Sequence, residues 1–110
     1  MSRLSAATGL AAVLFFSTPA FPADFQVTIV IKNHKFVPSE IKVPLGVRIE
    51  LTVDNQDPTP EEFESSELKV EKVIPGNSSA KVRIGALAAG TFHFVGEFNE
   101  ATAKGVITVE

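Results

Sequence analysis

Between Val47 and Val53 the chain alternates apolar and polar residues without a break, as Val47-Arg48-Ile49-Glu50-Leu51-Thr52-Val53. A period of two puts every second side chain on one face of an extended strand. The pattern therefore predicts a half-buried β-strand with Val47, Ile49, Leu51 and Val53 facing a core. The same signal recurs along the chain. Phe25-Gln26-Val27-Thr28-Ile29-Val30-Ile31 starts in alternation and ends continuously apolar. Ile41-Lys42-Val43 is a short strand stopped by Pro44 and Gly46, and Ser79-Ala80-Lys81-Val82-Arg83-Ile84 another. Thr91-Phe92-His93-Phe94-Val95 and Gly105-Val106-Ile107-Thr108-Val109 complete the set. Turn residues separate these runs: residues 54–60 with two prolines and two aspartates, Pro75-Gly76-Asn77, and Leu87-Ala88-Ala89-Gly90. The acidic stretch over residues 61–72 suits either a short helix or an exposed strand and loop. Seven or so short strands without a long amphipathic helix predict an all-β, Greek-key antiparallel β-sandwich.

The first 23 residues follow another logic. Arg3 is followed by an apolar run over residues 6–16 and then by the small residues Ser17, Thr18, Pro19 and Ala20. A positive start, a short apolar middle and a small-residue end predict a signal peptide and export. The run is short for a membrane-spanning helix. Cleavage is expected after Ala20 or Ala23, which leaves one domain over residues 24–110. Loss of the leader removes only Arg3 from a chain of formal net charge −3. A mildly acidic domain gives no reason to expect a nucleic-acid or anionic-lipid partner.

The 110 residues contain no cysteine, tryptophan or tyrosine, but nine phenylalanines. Disulfides, thiolate nucleophiles and cysteine-ligated clusters are thereby excluded. Core aromatics carry no polar handle, so tyrosine acid–base chemistry is excluded too. Neither histidine stands in a pattern that activates a serine, and no glycine loop cradles phosphate. A catalytic constellation is therefore not expected.

Several segments resemble one family. Phe36-Val37-Pro38-Ser39-Glu40-Ile41-Lys42-Val43-Pro44-Leu45-Gly46 is similar to the F-x-P-x-x-I-x-V-x-x-G segment of cupredoxins. Asn55-Gln56-Asp57 resembles the loop before the first histidine ligand of that family. Gly90-Thr91-Phe92-His93-Phe94 looks like its G-T-Y-x-F strand, and Lys104-Gly105-Val106-Ile107-Thr108-Val109 its closing strand. The ligand positions differ. A blue-copper site needs two imidazoles, a thiolate and a weak axial thioether. The resemblance places Glu61 at the first histidine, Gly96 at the cysteine, Asn99 at the second histidine, and Thr102 or Ala103 at the methionine. The only methionine is Met1. A type 1 copper site is therefore not expected.

Residues 59–65, 96–99 and 102–105 resemble the small periplasmic cupredoxin-like proteins of bacterial ferrous-iron uptake systems. That resemblance implies a metal-handling accessory in the periplasm. Its implied partners are a periplasmic iron-binding protein and a high-affinity iron permease. It also implies two alternatives: copper-dependent oxidation of Fe(II), and a docking module that binds no metal. The family's ligand end would hold His34, Glu61 and Glu97. Carboxylates with one imidazole suit Fe(II), Mn(II) or Cu(II) better than Cu(I). Glu62 and Glu64 flank Phe63. If Phe63 faces the core, both point away from Glu61 and are expected to serve as surface charge. By the same parity His93 lies outside, opposite Phe92 and Phe94.

Overall fold

The computed structural model describes residues 24–110, so the expected signal peptide and its cleavage points lie outside the described residues. Nine strands follow in order: β1 (Phe25–Lys32), β2 (Lys35–Val37), β3 (Glu40–Val43), β4 (Ile49–Asn55), β5 (Glu61–Ser65), β6 (Val70–Ile74), β7 (Ser78–Ile84), β8 (Gly90–Gly96) and β9 (Lys104–Val109). A 3-10 turn, Glu97–Asn99, follows β8. The strands form a four-stranded sheet, β2-β1-β4-β7, and a five-stranded sheet, β3-β9-β8-β5-β6. Their inner faces enclose one core, which makes the domain a β-sandwich. Among the described residues no helix is long and apolar enough to cross a membrane.

Alternation places the side chains as expected. In β4, Ile49, Leu51 and Val53 are buried, while Glu50 and Thr52 lie outward. Val47 falls just before the strand and packs against the core only partly. In β8, Phe94 is 1% exposed, and the His93 side chain is 66% exposed. The ambiguous acidic stretch is a hairpin, with β5 and β6 pairing antiparallel from Glu61↔Ile74 to Ser65↔Val70.

The sheets are mixed rather than purely antiparallel. β1 runs parallel to β4, and β3 parallel to β9. A half-buried strand shows the same alternation in either direction, so the pattern alone does not encode this. Both parallel pairs join strands that are not consecutive in the chain: β4 lies beside β1, and β9 beside β3.

Three phenylalanines join the layers. Phe36 from β2 meets Phe94 edge-on at 5.1 Å and Phe63 at 6.0 Å, and Phe63 lies 5.0 Å from Phe94. Such pairs contribute beyond their buried area. Gly105 stands opposite Phe94 across the β8–β9 ladder. A Cβ there would lie 2.2 Å from Phe94 Cζ and 2.8 Å from the Ser39 carbonyl oxygen. The ring needs the space that only glycine leaves, which explains this glycine in the closing strand.

Phe94→Ala is expected to cost about 3–5 kcal/mol in denaturant unfolding, as large aromatic truncations in a core do. A loss below about 1 kcal/mol would contradict this packing.

Candidate metal centre

The site is assembled on β5 and on the loop that leaves β8. Its foundation is the loop between β4 and β5. Asn55, fully buried, donates from Nδ2 to the carbonyl oxygens of Thr59 (2.9 Å), Ile74 (3.2 Å) and Pro75 (3.3 Å), and its Oδ1 accepts the Asp57 N–H (3.1 Å). Asp57 in turn accepts the backbone N–H groups of Asn33 (2.8 Å) and His34 (2.9 Å). These two residues are the β1–β2 hairpin turn, both with positive φ, as a tight hairpin of two residues demands. The His34 N–H is the main reason the Asp57 carboxyl sits below its usual range, burial pulling the other way. The Asn55-Gln56-Asp57 motif therefore works as a clamp on the scaffold.

Glu61 opens β5 and points inward, only 1% exposed. Its carboxylate accepts three hydrogen bonds. Oε1 takes the N–H of Glu62 (3.1 Å) and of Phe98 (2.9 Å), and Oε2 takes the Asn99 side-chain amide (2.6 Å). A Cβ on Gly96 would lie 2.7 Å from both Glu61 Cδ and Ala103 Cβ. Positions 61, 96 and 99, which the resemblance assigns to copper ligands, thus converge with Ala103, one of the two candidates for the axial position. The space between them is filled by the Glu61 carboxylate and its donors. Type 1 copper does not fit these residues: no thiolate exists in the chain, and position 96 has no room for one.

The outward side of β5 is different. Among the described residues, donor atoms of Glu62, Glu64 and Glu97 gather within 4.8 Å of one another. Glu62 and Glu64 leave β5 on the face opposite Phe63, and Glu97 arrives from the first position of the 3-10 turn. Glu71 stands directly opposite Glu64 on β6. Glu62 is 8% exposed, and its Oε1 is buried with no hydrogen-bond partner. Contact with the Glu71 carboxyl, then burial, then the Glu97 carboxyl push Glu62 up to about 7. Glu64 is raised as well, first by contact with Glu97. Carboxylates this close cannot all be charged without a proton or a cation among them.

The structure distributes the three sequence-derived residues as follows. Glu97 joins a cluster, but with Glu62 and Glu64. Glu61 is committed to backbone and amide donors. His34 holds the hairpin turn, its Nδ1 3.6 Å from Asp57 Oδ2. Glu61, Glu97 and His34 are thus not the constellation that the fold gathers. Glu62 and Glu64 point away from Glu61, as parity implies, yet they form more than surface charge. His93 lies apart, with Nδ1 3.1 Å from Glu67 Oε1. The signal that could have found the cluster was the opposition of Glu64 and Glu71 in a hairpin read as such.

The sign of the pH effect follows from the raised Glu62. A group whose folded pKa exceeds its ordinary value near 4.5 adds stability that is complete below that value and is lost as pH rises through about 7. Glu62→Gln abolishes the titration. In the metal-free protein, the melting temperature of Glu62→Gln relative to wild type is expected to rise between about pH 5 and pH 8. A pH-independent gap would refute the crowding.

The chain resembles known proteins on three counts. A family model described as a cupredoxin-like domain matches residues 5–109. The uncharacterized protein RP394 of Rickettsia prowazekii (strain Madrid E) is 40% identical over 84 residues, which is 76% of this chain and 67% of that protein. Among solved structures, the metal binding domain of the Cu(I) exporting P-type ATPase CopA of Streptococcus pneumoniae D39, with Cu(I), superposes with a TM-score of 0.69. It shares 20% identity, over 77% of this chain and 84% of that one. Auracyanin A, a blue copper protein of Chloroflexus aurantiacus, gives 0.68 at 14% identity, over 80% of this chain and all of that one. The sandwich, its strand motifs and the family match agree: the chain belongs to the cupredoxin-like domain family.

Proposed function

We propose that this protein is a metal-handling cupredoxin relative that binds a hard cation on the outer face of its five-stranded sheet, through Glu62, Glu64 and Glu97. The observation that carries this reading is the buried, unpartnered Glu62 Oε1 within a group of three converging carboxylates. A cation there would satisfy that oxygen and relieve the mutual repulsion in one step. An all-oxygen, anionic donor set favours Mn(II) or Fe(II) over Cu(I), which prefers sulfur. Glu71 is close enough to crowd Glu62 and offers a fourth carboxylate.

The physiological role follows from the resemblance to the ferrous-iron uptake proteins. The domain is exported to the periplasm on residues 1–23. There it receives iron and passes it toward a high-affinity permease, together with a periplasmic iron-binding protein. A site held by carboxylates alone suits such a transfer, because oxygen ligands exchange readily and Glu97 offers it an exposed side. Phe98 and Val73, each 51% exposed, flank the carboxylates in sequence and across the hairpin and offer apolar surface to a docking partner.

Calorimetric titration of the protein with Mn(II), Cu(II) and, under anaerobic conditions, Fe(II) tests the site. Binding of Mn(II) and Fe(II) is expected. Glu62→Gln and Glu97→Gln should each weaken it by about tenfold or more, while His34→Ala leaves it unchanged. Absence of binding by any of the ions, or equal affinity in the glutamine variants, would end the proposal.

A further inference from the structure

Resting on the carboxylate site proposed above, we infer that Glu61 and Asn99 are its positioning residues: their part-buried hydrogen bond fixes Glu97 against Glu62 and Glu64. The two halves of the site come from distant parts of the chain. Glu62 and Glu64 ride on β5, whereas Glu97 begins a 3-10 turn. That turn has no side-chain cap of its own at Gly96 and buries none of its three residues. Its hold on the domain lies in Glu61. Oε1 receives the N–H of Phe98, the residue after Glu97, and Oε2 receives the amide of Asn99. Glu61 is also the immediate neighbour of Glu62 and accepts its N–H. One carboxylate therefore touches the residue beside each half of the site.

The rest of the loop completes the fixture. The Asn99 carbonyl accepts the N–H of Ala103 at 2.8 Å and of Thr102 at 3.1 Å, and Gly96 donates to the Ala103 carbonyl at 2.9 Å. Asn99 is thus bonded on both sides, through its side chain to β5 and through its backbone to the return of the loop. A Cβ at Gly96 would meet Glu61 Oε2 at 2.9 Å, so the missing side chain leaves the room that the Glu61 carboxylate takes. A side chain at 96 and this clamp exclude one another. In this chain a carboxylate–amide bond, rather than a metal, ties the loop after β8 to the start of β5.

Reversal of the bond tests its role. In Asn99→Asp two carboxylates face each other where 2.6 Å now separates acceptor and donor. Adding Glu61→Gln restores the contact with donor and acceptor exchanged: the new amide at position 61 donates to the new carboxylate at position 99, and its carbonyl still accepts from Phe98 and Glu62. None of the three carboxylates of the site is altered. The free-ion signal of Mn(II) in electron paramagnetic resonance reads the affinity, and thermal melting confirms folding. Asn99→Asp is expected to lose about tenfold or more in Mn(II) affinity, as the loss of a group that orients metal ligands typically does, and the double variant to return to within about threefold of wild type. Asn99→Ala, which removes the donor without adding charge, should also lose affinity while folded, and serves where Asn99→Asp does not fold. Wild-type affinity in a folded Asn99→Asp or Asn99→Ala variant, or a folded double variant that stays weak, would overturn the positioning role and leave the site standing. Failure of the wild type itself to bind Mn(II) would overturn both.

Discussion

A carboxylate buried like Glu61 persists only where donors meet it, because an unpaired buried charge costs several kcal/mol. Glu61 meets three N–H groups, two of them from a turn 37 and 38 residues further along the chain. Such charge-assisted bonds are stronger than those between neutral groups, and removal of the donors leaves the buried Glu61 carboxylate unmatched. The contact is therefore stringent in geometry. It defines where the loop after β8 lies, and it occupies positions that the resemblance assigns to copper ligands.

The foundation beneath that contact is equally specific. Asn55 binds the carbonyl groups of Thr59 and Ile74, and Ile74 is the β6 partner of Glu61. Asp57 reaches across to the β1–β2 turn. One short loop thus ties the four-stranded sheet to the start of β5. Beneath it Phe36, Phe63 and Phe94 stand in mutual contact in the apolar core, and Asn55 at the centre of the polar network is itself fully buried.

Much of the sandwich was legible because alternation is a local property. The inward Ile49, Leu51, Val53 and Phe94 and the outward His93 all follow from period two, and the burial of Phe63 meets the condition on which the parity of Glu62 and Glu64 rested. Strand direction was not legible, since parallel and antiparallel neighbours impose the same pattern on a half-buried strand. Neither was the hairpin over residues 61–74, where glutamates of weak strand propensity pair only because β8 and the core hold them. For the site, parity correctly separated Glu61 from Glu62 and Glu64. It could not place Glu97, because parity ends where the strand ends. The 3-10 turn that begins at Glu97 aims its side chains by another period. His34 looked like a ligand from its neighbourhood in the motif. In the folded chain its backbone does the work, in a left-handed turn that Asp57 captures.

The pentapeptide of β5 shows how one strand serves two ends. Its inward set, Glu61, Phe63 and Ser65, is structural: a clamp, a core ring, and a hydroxyl that donates to the His93 carbonyl at 2.6 Å and accepts the Leu68 N–H. Its outward set, Glu62 and Glu64, is electrostatically costly, with Glu71 directly opposite Glu64 and Glu97 overhead. Like charges placed opposite one another across a ladder destabilise it. Protons relieve part of that strain, as the raised Glu62 indicates, and a bound cation would relieve more. A shift of register by one residue would exchange the two sets, turning two crowded carboxylates into the apolar core and Phe63 out of it. The inward set therefore does more than stabilise the sheet. By fixing register and by holding the 97–99 turn, it is what allows three mutually repelling groups to face a single point.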